Sequence, residues 1–309
     1  MARQPRRRSK NNLHARRRVR KTGPPSALPV PSLVLARALQ ERTQKFAVLA
    51  AQLPSHRSSG TVHDLRVATR RLIAAIDLVR PVLSQVQVDR MRRRLRRLLR
   101  SFGPLRDLEI QKALLGELVR DAPALRPVLR RLTLAERQLL TASVTRIRQF
   151  DRTHLEQIIA DVLERLRTFE RIRSGEIALL ASARSERAHF FLAVLRARSQ
   201  LDRDNVRSVH ALRIAMKKFR YATEILAPFE AGISRRDLKA MNALQLLLGE
   251  VQDWTITIDF LAGKPIAGTI TKPGALIGIL ESATLRRTAI LERALPAAEQ
   301  IPAFWDGRV

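Results

Sequence analysis

One motif occurs twice in this chain of 309 residues and constrains its fold more than any other feature. Residues 62–73 read VHDLRVATRRLI, and residues 209–220 read VHALRIAMKKFR. A second matched pair follows in the same order: residues 100–110 read RSFGPLRDLEI, and residues 246–256 read LLLGEVQDWTI. Two blocks that recur in one order at nearly one spacing predict a duplicated structural unit.

The apolar residues recur with a helical period along almost the whole chain. Met91, Leu95, Leu98 and Phe102 are spaced as one face of an α-helix. Gly and Pro residues interrupt this pattern at intervals, which predicts about ten helices between residues 31 and 297. We therefore expect an all-α fold of two similar antiparallel helical bundles, related by a pseudo-two-fold axis.

The charge is strongly positive and is not confined to one end. The chain has 58 Lys and Arg against 28 Asp and Glu, a formal net charge of +30. Residues 1–31 hold ten of these bases, no acid and several Pro, which predicts a disordered basic tail. The folded domain is then 32–309, with halves at 32–172 and 173–309. It keeps a large excess of bases, so its partner should be a polyanion.

Composition excludes several classes of protein. Without Cys, the chain has no disulfide, no thiolate metal site and no Cys nucleophile. We find no uncharged apolar run long enough to span a membrane, and the first residues lack the apolar segment of a secretory signal. We expect a cytoplasmic location and no cofactor.

The repeated helix carries its bases on one face. At 100° per residue, His210, Arg213 and Lys217 share a stripe, and His63, Arg66 and Arg70 share the matching one. Residues one turn apart are separated by about 5.4 Å, so successive bases can contact different phosphates of one chain. Arg suits this task because its planar guanidinium can hold two phosphate oxygens at once.

These motifs resemble the CHAD (conserved histidine α-helical domain) family. The resemblance rests on the helix with VHxLRV or VHxLRI and two later bases, followed by a GxxxD block, twice per chain. It implies an all-α domain with a basic central groove or pore that binds inorganic polyphosphate without catalysis. Carried over by position, the binding residues are His63, Arg66, Arg70, Arg71, Arg93 and Arg97 in the first half, and His210, Arg213, Lys217, Lys218, Arg220 and Lys239 in the second.

The resemblance has one departure and one open point. Ile73 stands where the second copy has Arg220, and Gln252 stands where the first copy has Arg106, so we expect the halves to contribute unequally. Some family members associate with polyphosphate or storage granules, which this sequence does not decide for the present chain.

Other interpretations of single residues stay open. His63 and His210 could be structural or could donate to phosphate, whereas an Arg three residues after each His disfavours a metal site. Asp107 and Asp253 follow a Gly at an expected helix boundary, which predicts helix caps. We expect Asp77 and Glu224, by contrast, to orient neighbouring Arg side chains.

Two further function classes compete with polyphosphate binding. A nucleic-acid-binding protein would use the same basic surface, and the tail would contribute. However, single-strand binding proteins stack bases on aromatic side chains, and only 4% of the residues in this chain are aromatic. A phosphotransferase or phosphatase would need a nucleophile or a metal-binding carboxylate set, which we do not find in the sequence. We therefore expect no enzyme activity.

Overall fold

The computed structural model describes residues 29–230, 233–263, 270 and 273–304, and every regular element in these ranges is helical. The prediction of an all-α fold is thus confirmed. Of the predicted tail, 1–31, residues 1–28 lie outside the described residues, and Pro31 is the first residue of α1. The α-helices are α1 (Pro31–Gln52), α2 (Ser59–Leu78), α3 (Gln85–Ser101), α4 (Gly103–Leu118), α5 (Arg126–Arg148), α6 (Arg152–Glu170), α7 (Arg173–Ser199), α8 (Val206–Leu226), α9 (Arg235–Leu261) and α10 (Pro273–Glu299).

The two copies of the repeated motif lie in α2 and α8, and both helices begin with a side-chain cap. Ser58 accepts a hydrogen bond from the backbone N–H of Thr61 at 3.0 Å, and Asn205 accepts one from Arg207 at 3.1 Å. Each cap satisfies a backbone donor that the first turn of a helix leaves without a partner. His63 and His210 therefore lie at the same distance from the start of their helices.

The helices that follow the two copies differ because of one proline. Pro104 lies in the first turn of α4, where its missing N–H costs nothing, and α3 ends just before it. The matching residue in the second block is Glu250, which can continue a helix. As a result, α9 is one unbroken helix of 27 residues, whereas the corresponding part of the first half is divided into α3 and α4.

The prediction that Asp107 and Asp253 cap helices is wrong. Asp107 lies inside α4, whose N-cap is Phe102, and Asp253 lies in the interior of α9, whose N-cap is Ser234. Helix α4 begins directly at Gly103, and Gly249 does not interrupt α9. Neither Gly therefore leaves room for a capping turn before the Asp.

The apolar positions that the two motifs share are buried in both copies. Leu65 and Leu72 of α2 have no exposed surface, and neither does Leu212 of α8, while Phe219 is 1% exposed. These residues belong to one continuous core that runs from Leu35 to Ile301. The core draws on both predicted halves, 32–172 and 173–309, so the halves share one interior. A second, smaller core lies between α4, α5, α9 and α10.

This packing brings the two repeated helices together. Helix α2 lies against α1, α3 and α8, and α8 lies against α2, α7 and α9. Helix α4 packs on α9, so the elements that follow the two motifs are also neighbours. The internal duplication itself stays a prediction from the sequence. Among the described helices, none combines the length and the apolar character needed to cross a bilayer.

Candidate functional site

A cavity of about 410 Å³ lies where α2, α3, α7 and α8 meet, and we call it the central cavity. Its bases come from three helices, because α2, α3 and α8 each turn a basic flank toward it. Phe190, Leu99 and Ile214 form apolar parts of the cavity wall. The charged and polar side chains that line the central cavity are Arg70, Asp77, Arg96, Arg100, His210, Arg213, Lys217, Lys218 and Tyr221.

A larger cavity of about 730 Å³ adjoins the central cavity, and we call it the vestibule. Phe190, Ile214 and Lys218 line both cavities, so the two are direct neighbours. The vestibule adds Arg80, Arg92 and Arg196 to the basic lining, of which Arg80 pairs with Glu186 and Arg92 with Asp77. Together the two cavities could hold a ligand more extended than a single phosphate.

The bases of the central cavity form no close ion pairs with acids in the described structure. Six Lys and Arg side chains line it, and in the ranges that the structure describes none of the six forms an ion pair with a carboxylate. Asp77 is the one acid among its described lining residues, and its carboxylate pairs with Arg92 Nε at 3.1 Å. Burial raises the pKa of Asp77 to about 6, although Arg92 opposes that rise. The prediction that Asp77 orients an Arg is confirmed, and Glu224 likewise pairs with Arg220.

Burial makes these cations costly to charge. Burial, together with repulsion from Arg213 and Arg70, lowers the pKa of Lys217 to about 6. The pKa values of Arg70 and Arg213 are also lowered, again mainly by burial. Arg213 Nε is fully buried and has no hydrogen-bond partner in the described structure. An anion in the cavity would supply countercharge to these cations.

The two motif histidines have different surroundings. His210 Nδ1 lies 2.7 Å from Gln252 Oε1 and, because an amide oxygen only accepts, Nδ1 carries the proton. His63 lies outside the central cavity, in a separate cleft with Arg106. Burial lowers the pKa of His63, and Arg106 adds to that effect. The two copies therefore differ in the residue beside the motif histidine: Arg106 shares the cleft of His63, whereas Gln252 contacts His210.

The structure brings five of the twelve predicted site residues into the central cavity. They are Arg70, His210, Arg213, Lys217 and Lys218. Arg66 is 8% exposed, lies behind the cavity wall and donates from Nη1 to the Leu99 carbonyl at 2.8 Å. Arg71 is exposed, and its guanidinium lies 5.9 Å from the centre of the Tyr221 ring.

The other predicted residues lie elsewhere. Arg220 is buried, pairs through Nη1 with Glu224 and donates from Nε to Gln245 at 2.9 Å, so both of these nitrogens are engaged within the protein. Arg93 and Lys239 are exposed and line neither cavity. Arg97 lines a different cleft, on the far side of α3.

Sequence reasoning missed Arg96 and Arg100, which complete the cavity wall from α3. A signal was present, because both residues lie well away from the Met91 stripe when α3 is drawn at 100° per residue. However, the same drawing places Arg93 and Arg97 at comparable angles. Which flank of α3 faces α8 depends on tertiary packing.

The family model for the CHAD domain matches residues 36–262. The chain belongs to the CHAD domain family. In this CHAD protein the match includes α2, α3, α8 and the residues of the central cavity.

Two solved structures have a similar fold. One is the crystal structure of the CHAD domain from the plant Ricinus communis, with a TM-score of 0.63 and 22% identity over 92% of this chain and 94% of that one. The other is PptA from Streptomyces chartreusis, with a TM-score of 0.54 and 18% identity over 88% of this chain and 99% of that one. No curated protein sequence matches the chain.

Proposed function

We propose that this CHAD protein binds inorganic polyphosphate in the central cavity and does not catalyse a reaction on it. The observation that carries the proposal is the set of six bases that line the cavity without an ion-pair partner in the described structure. Binding of polyphosphate is known for some members of the family, which supports the same ligand here.

The shape and chemistry of the cavity favour a phosphate chain. Arg70 and Arg213 come from the two repeated helices, and Arg96 and Arg100 come from α3, so a bound chain would be contacted from several sides. Each of these guanidinium groups can donate two parallel hydrogen bonds to phosphate oxygens. Because rigid helices hold the bases in place, little ordering would be required on binding.

A polymer of bare phosphates fits the lining better than a nucleic acid does. Tyr221 is 6% exposed, and its ring already lies 4.7 Å from the guanidinium of Arg220. Phe190 is also buried, at 5% exposure. Neither ring offers the open face on which a base would stack. Nucleic acid remains the alternative ligand, bound through general positive charge.

The absence of catalysis is part of the proposal. Phosphoryl transfer usually uses positioned metal ions, held by carboxylates. The described ranges contain no group of three or more His, Asp or Glu side chains that could hold a metal ion. Asp77, the acid in the cavity lining, is engaged by Arg92. This donor set supports binding rather than metal-assisted hydrolysis.

The test compares two variants that each lose two charges. The double variant Arg70→Gln/Arg213→Gln removes one cavity base from each repeated helix. The control, Arg235→Gln/Arg236→Gln, removes two exposed bases at the start of α9 that line neither cavity. We expect the cavity variant to bind labelled long-chain polyphosphate at least about tenfold more weakly, since each charge-assisted contact is worth more than about 1.4 kcal/mol. Equal affinity of the two variants would refute the site.

A further inference from the structure

Helix α3 carries arginines on two flanks, and only one flank faces the central cavity. At 100° per residue, the flank with Arg92, Arg96 and Arg100 lies on one side of the buried stripe. The flank with Arg94 and Arg97 lies on the other side. Arg93 lies on the exposed crest between the two flanks, so bases follow one another around the solvent side of the helix.

The second flank borders a cleft of about 430 Å³ between α3 and the junction of α5 with α6, which we call the outer cleft. Leu98, 5% exposed, and Phe150 form its apolar floor. Phe150 packs edge-on against Phe46, with ring centres 5.7 Å apart. The floor is therefore attached to the main core and should hold its shape.

The outer cleft is positively charged. Arg97 and Arg146 line it, and within the described part of the chain neither is paired with a carboxylate. Arg94 Nη2 pairs with Asp151 at 3.1 Å, while Asp151 also accepts the N–H of His154 at 3.0 Å as the N-cap of α6. The acid at this site is thus already occupied. The N-terminal end of α6 adds the positive end of a helix dipole.

A simpler role exists for one of these bases. Arg146 lies in the last turn of α5, where a cation stabilises the negative end of the helix dipole. That role does not explain Arg97, which lies on a different helix and faces the same cleft. An anion in the outer cleft could contact both Arg97 and Arg146 and would reduce the repulsion between them.

We propose that the outer cleft is a second binding site for the same polyphosphate chain, which leaves the central cavity and passes around α3 beside Arg93. The proposal rests on the proposed function, because it needs a ligand that is already held in the central cavity. A linear phosphate polymer suits this path because every unit carries charge. Successive phosphates along the solvent side of α3 would therefore each lie near a base. The second contact is intramolecular once the first has formed, so weak interactions there still add to affinity.

The two sites should differ in their dependence on chain length. The two sites lie on opposite flanks of α3, and a helix with its side chains is about 10–12 Å across. We therefore expect tripolyphosphate in the central cavity to be too short to reach the outer cleft at the same time. A long chain can occupy both. The outer cleft should therefore contribute to the affinity for long chains and leave the affinity for tripolyphosphate unchanged.

The experiment uses the double variant Arg97→Gln/Arg146→Gln in the full-length protein. Arg94 is left intact because it is paired with Asp151. The charge-matched control is again Arg235→Gln/Arg236→Gln, and circular dichroism checks that both variants fold. Binding of long-chain polyphosphate and of tripolyphosphate is measured over a range of salt concentrations.

We expect the outer-cleft variant to bind long-chain polyphosphate about tenfold more weakly than the control and tripolyphosphate equally well. The magnitude of its log–log salt slope should fall by about 1.4, since two phosphate contacts at about 0.7 each are lost. Long-chain affinity equal to that of the control would overturn the second site. Failure of the proposed function looks different, because Arg70→Gln/Arg213→Gln would then leave the binding of both ligands unchanged.

Discussion

At the scale of single residues, burial makes positive charge costly in the central cavity. Lys217 shows this most clearly, because burial and the nearby Arg213 and Arg70 lower its pKa to about 6. A lysine with such a pKa is mostly neutral at pH 7 in the unliganded protein. A phosphate beside it favours the charged form, so binding should be accompanied by proton uptake.

The titration of Lys217 gives a prediction for pH. Because the pKa of Lys217 rises on binding, affinity for polyphosphate should fall as the pH increases above about 6, and binding should take up a proton in this range. Calorimetric titrations in buffers of different ionisation enthalpy measure that uptake. Lys217→Met should reduce it, whereas Lys239→Met, at an exposed lysine outside both cavities, should not. Equal proton uptake in wild type and Lys217→Met would contradict the assignment.

The same residue gives a prediction for stability. The pKa of Lys217 is lower in the folded protein than the usual 10.5, so the unfolded chain binds more protons between pH 6 and 10.5. Stability without ligand should therefore rise with pH across this window, as far as this residue contributes. Lys217→Met should remove that contribution and raise the Tm at pH 7 by a few degrees, in line with the usual trade between stability and function. Thermal unfolding of the unliganded variant checks the sign, and a lower Tm would contradict it.

Much of the residue-level site could be predicted from sequence. The stripe on α8 correctly grouped His210, Arg213 and Lys217, because a helix of known phase fixes which side chains share a face. Arg220 lies on the same stripe but does not reach the cavity. Its neighbours Gln245 and Glu224 engage it, and the position of Gln245 on α9 depends on tertiary packing.

At the scale of helices, the contact between α2 and α3 gives one residue of the motif a structural role beside the central cavity. Arg66 lies in the motif of α2 and donates to the carbonyl of Leu99, in the last turn of α3. Carbonyls at the end of a helix lack the N–H partners of a continuing helix. Arg66 supplies a partner across the helix pair and so holds α3, with Arg96 and Arg100, against α2.

This contact separates Arg66 from its sequence counterpart Arg213. We expect Arg66→Ala to lower the free energy of unfolding by about 1–3 kcal/mol, because a buried hydrogen bond from a charged donor is lost. Arg213→Ala should leave stability nearly unchanged, since Arg213 Nε has no partner to lose in the described structure. Urea unfolding of the two variants tests the difference. Equal losses would show that the two positions play the same role.

Helix boundaries were predictable where a backbone constraint acted. The break before α4 follows from Pro104, which cannot donate an N–H. At Gly249 no such constraint exists, and α9 continues through the position. The predicted caps at Asp107 and Asp253 failed for this reason: a Gly followed by an Asp is compatible with a turn but does not enforce one.

At the scale of the whole molecule, the fold concentrates charge that the sequence spreads along the chain. Helix α8 is far from α2 and α3 in sequence, yet the basic flanks of the three helices converge on one cavity, with the vestibule beside it. Periodicity and the repeat predicted the helices and their class. The order in which the helices pack, and hence the inclusion of Arg96 and Arg100, depends on the common core that joins both halves.

The central claim is that the cavity recognises a chain of bare phosphates rather than negative charge in general. The most direct test is competition: labelled long-chain polyphosphate is bound at about 0.3 M salt, where the Debye length is about 5–6 Å and diffuse attraction is screened. Unlabelled polyphosphate and single-stranded DNA then compete at equal phosphate concentration. The account predicts that polyphosphate displaces the label and that DNA does so poorly. Displacement by DNA at the same phosphate concentration would contradict it and identify a general polyanion-binding protein.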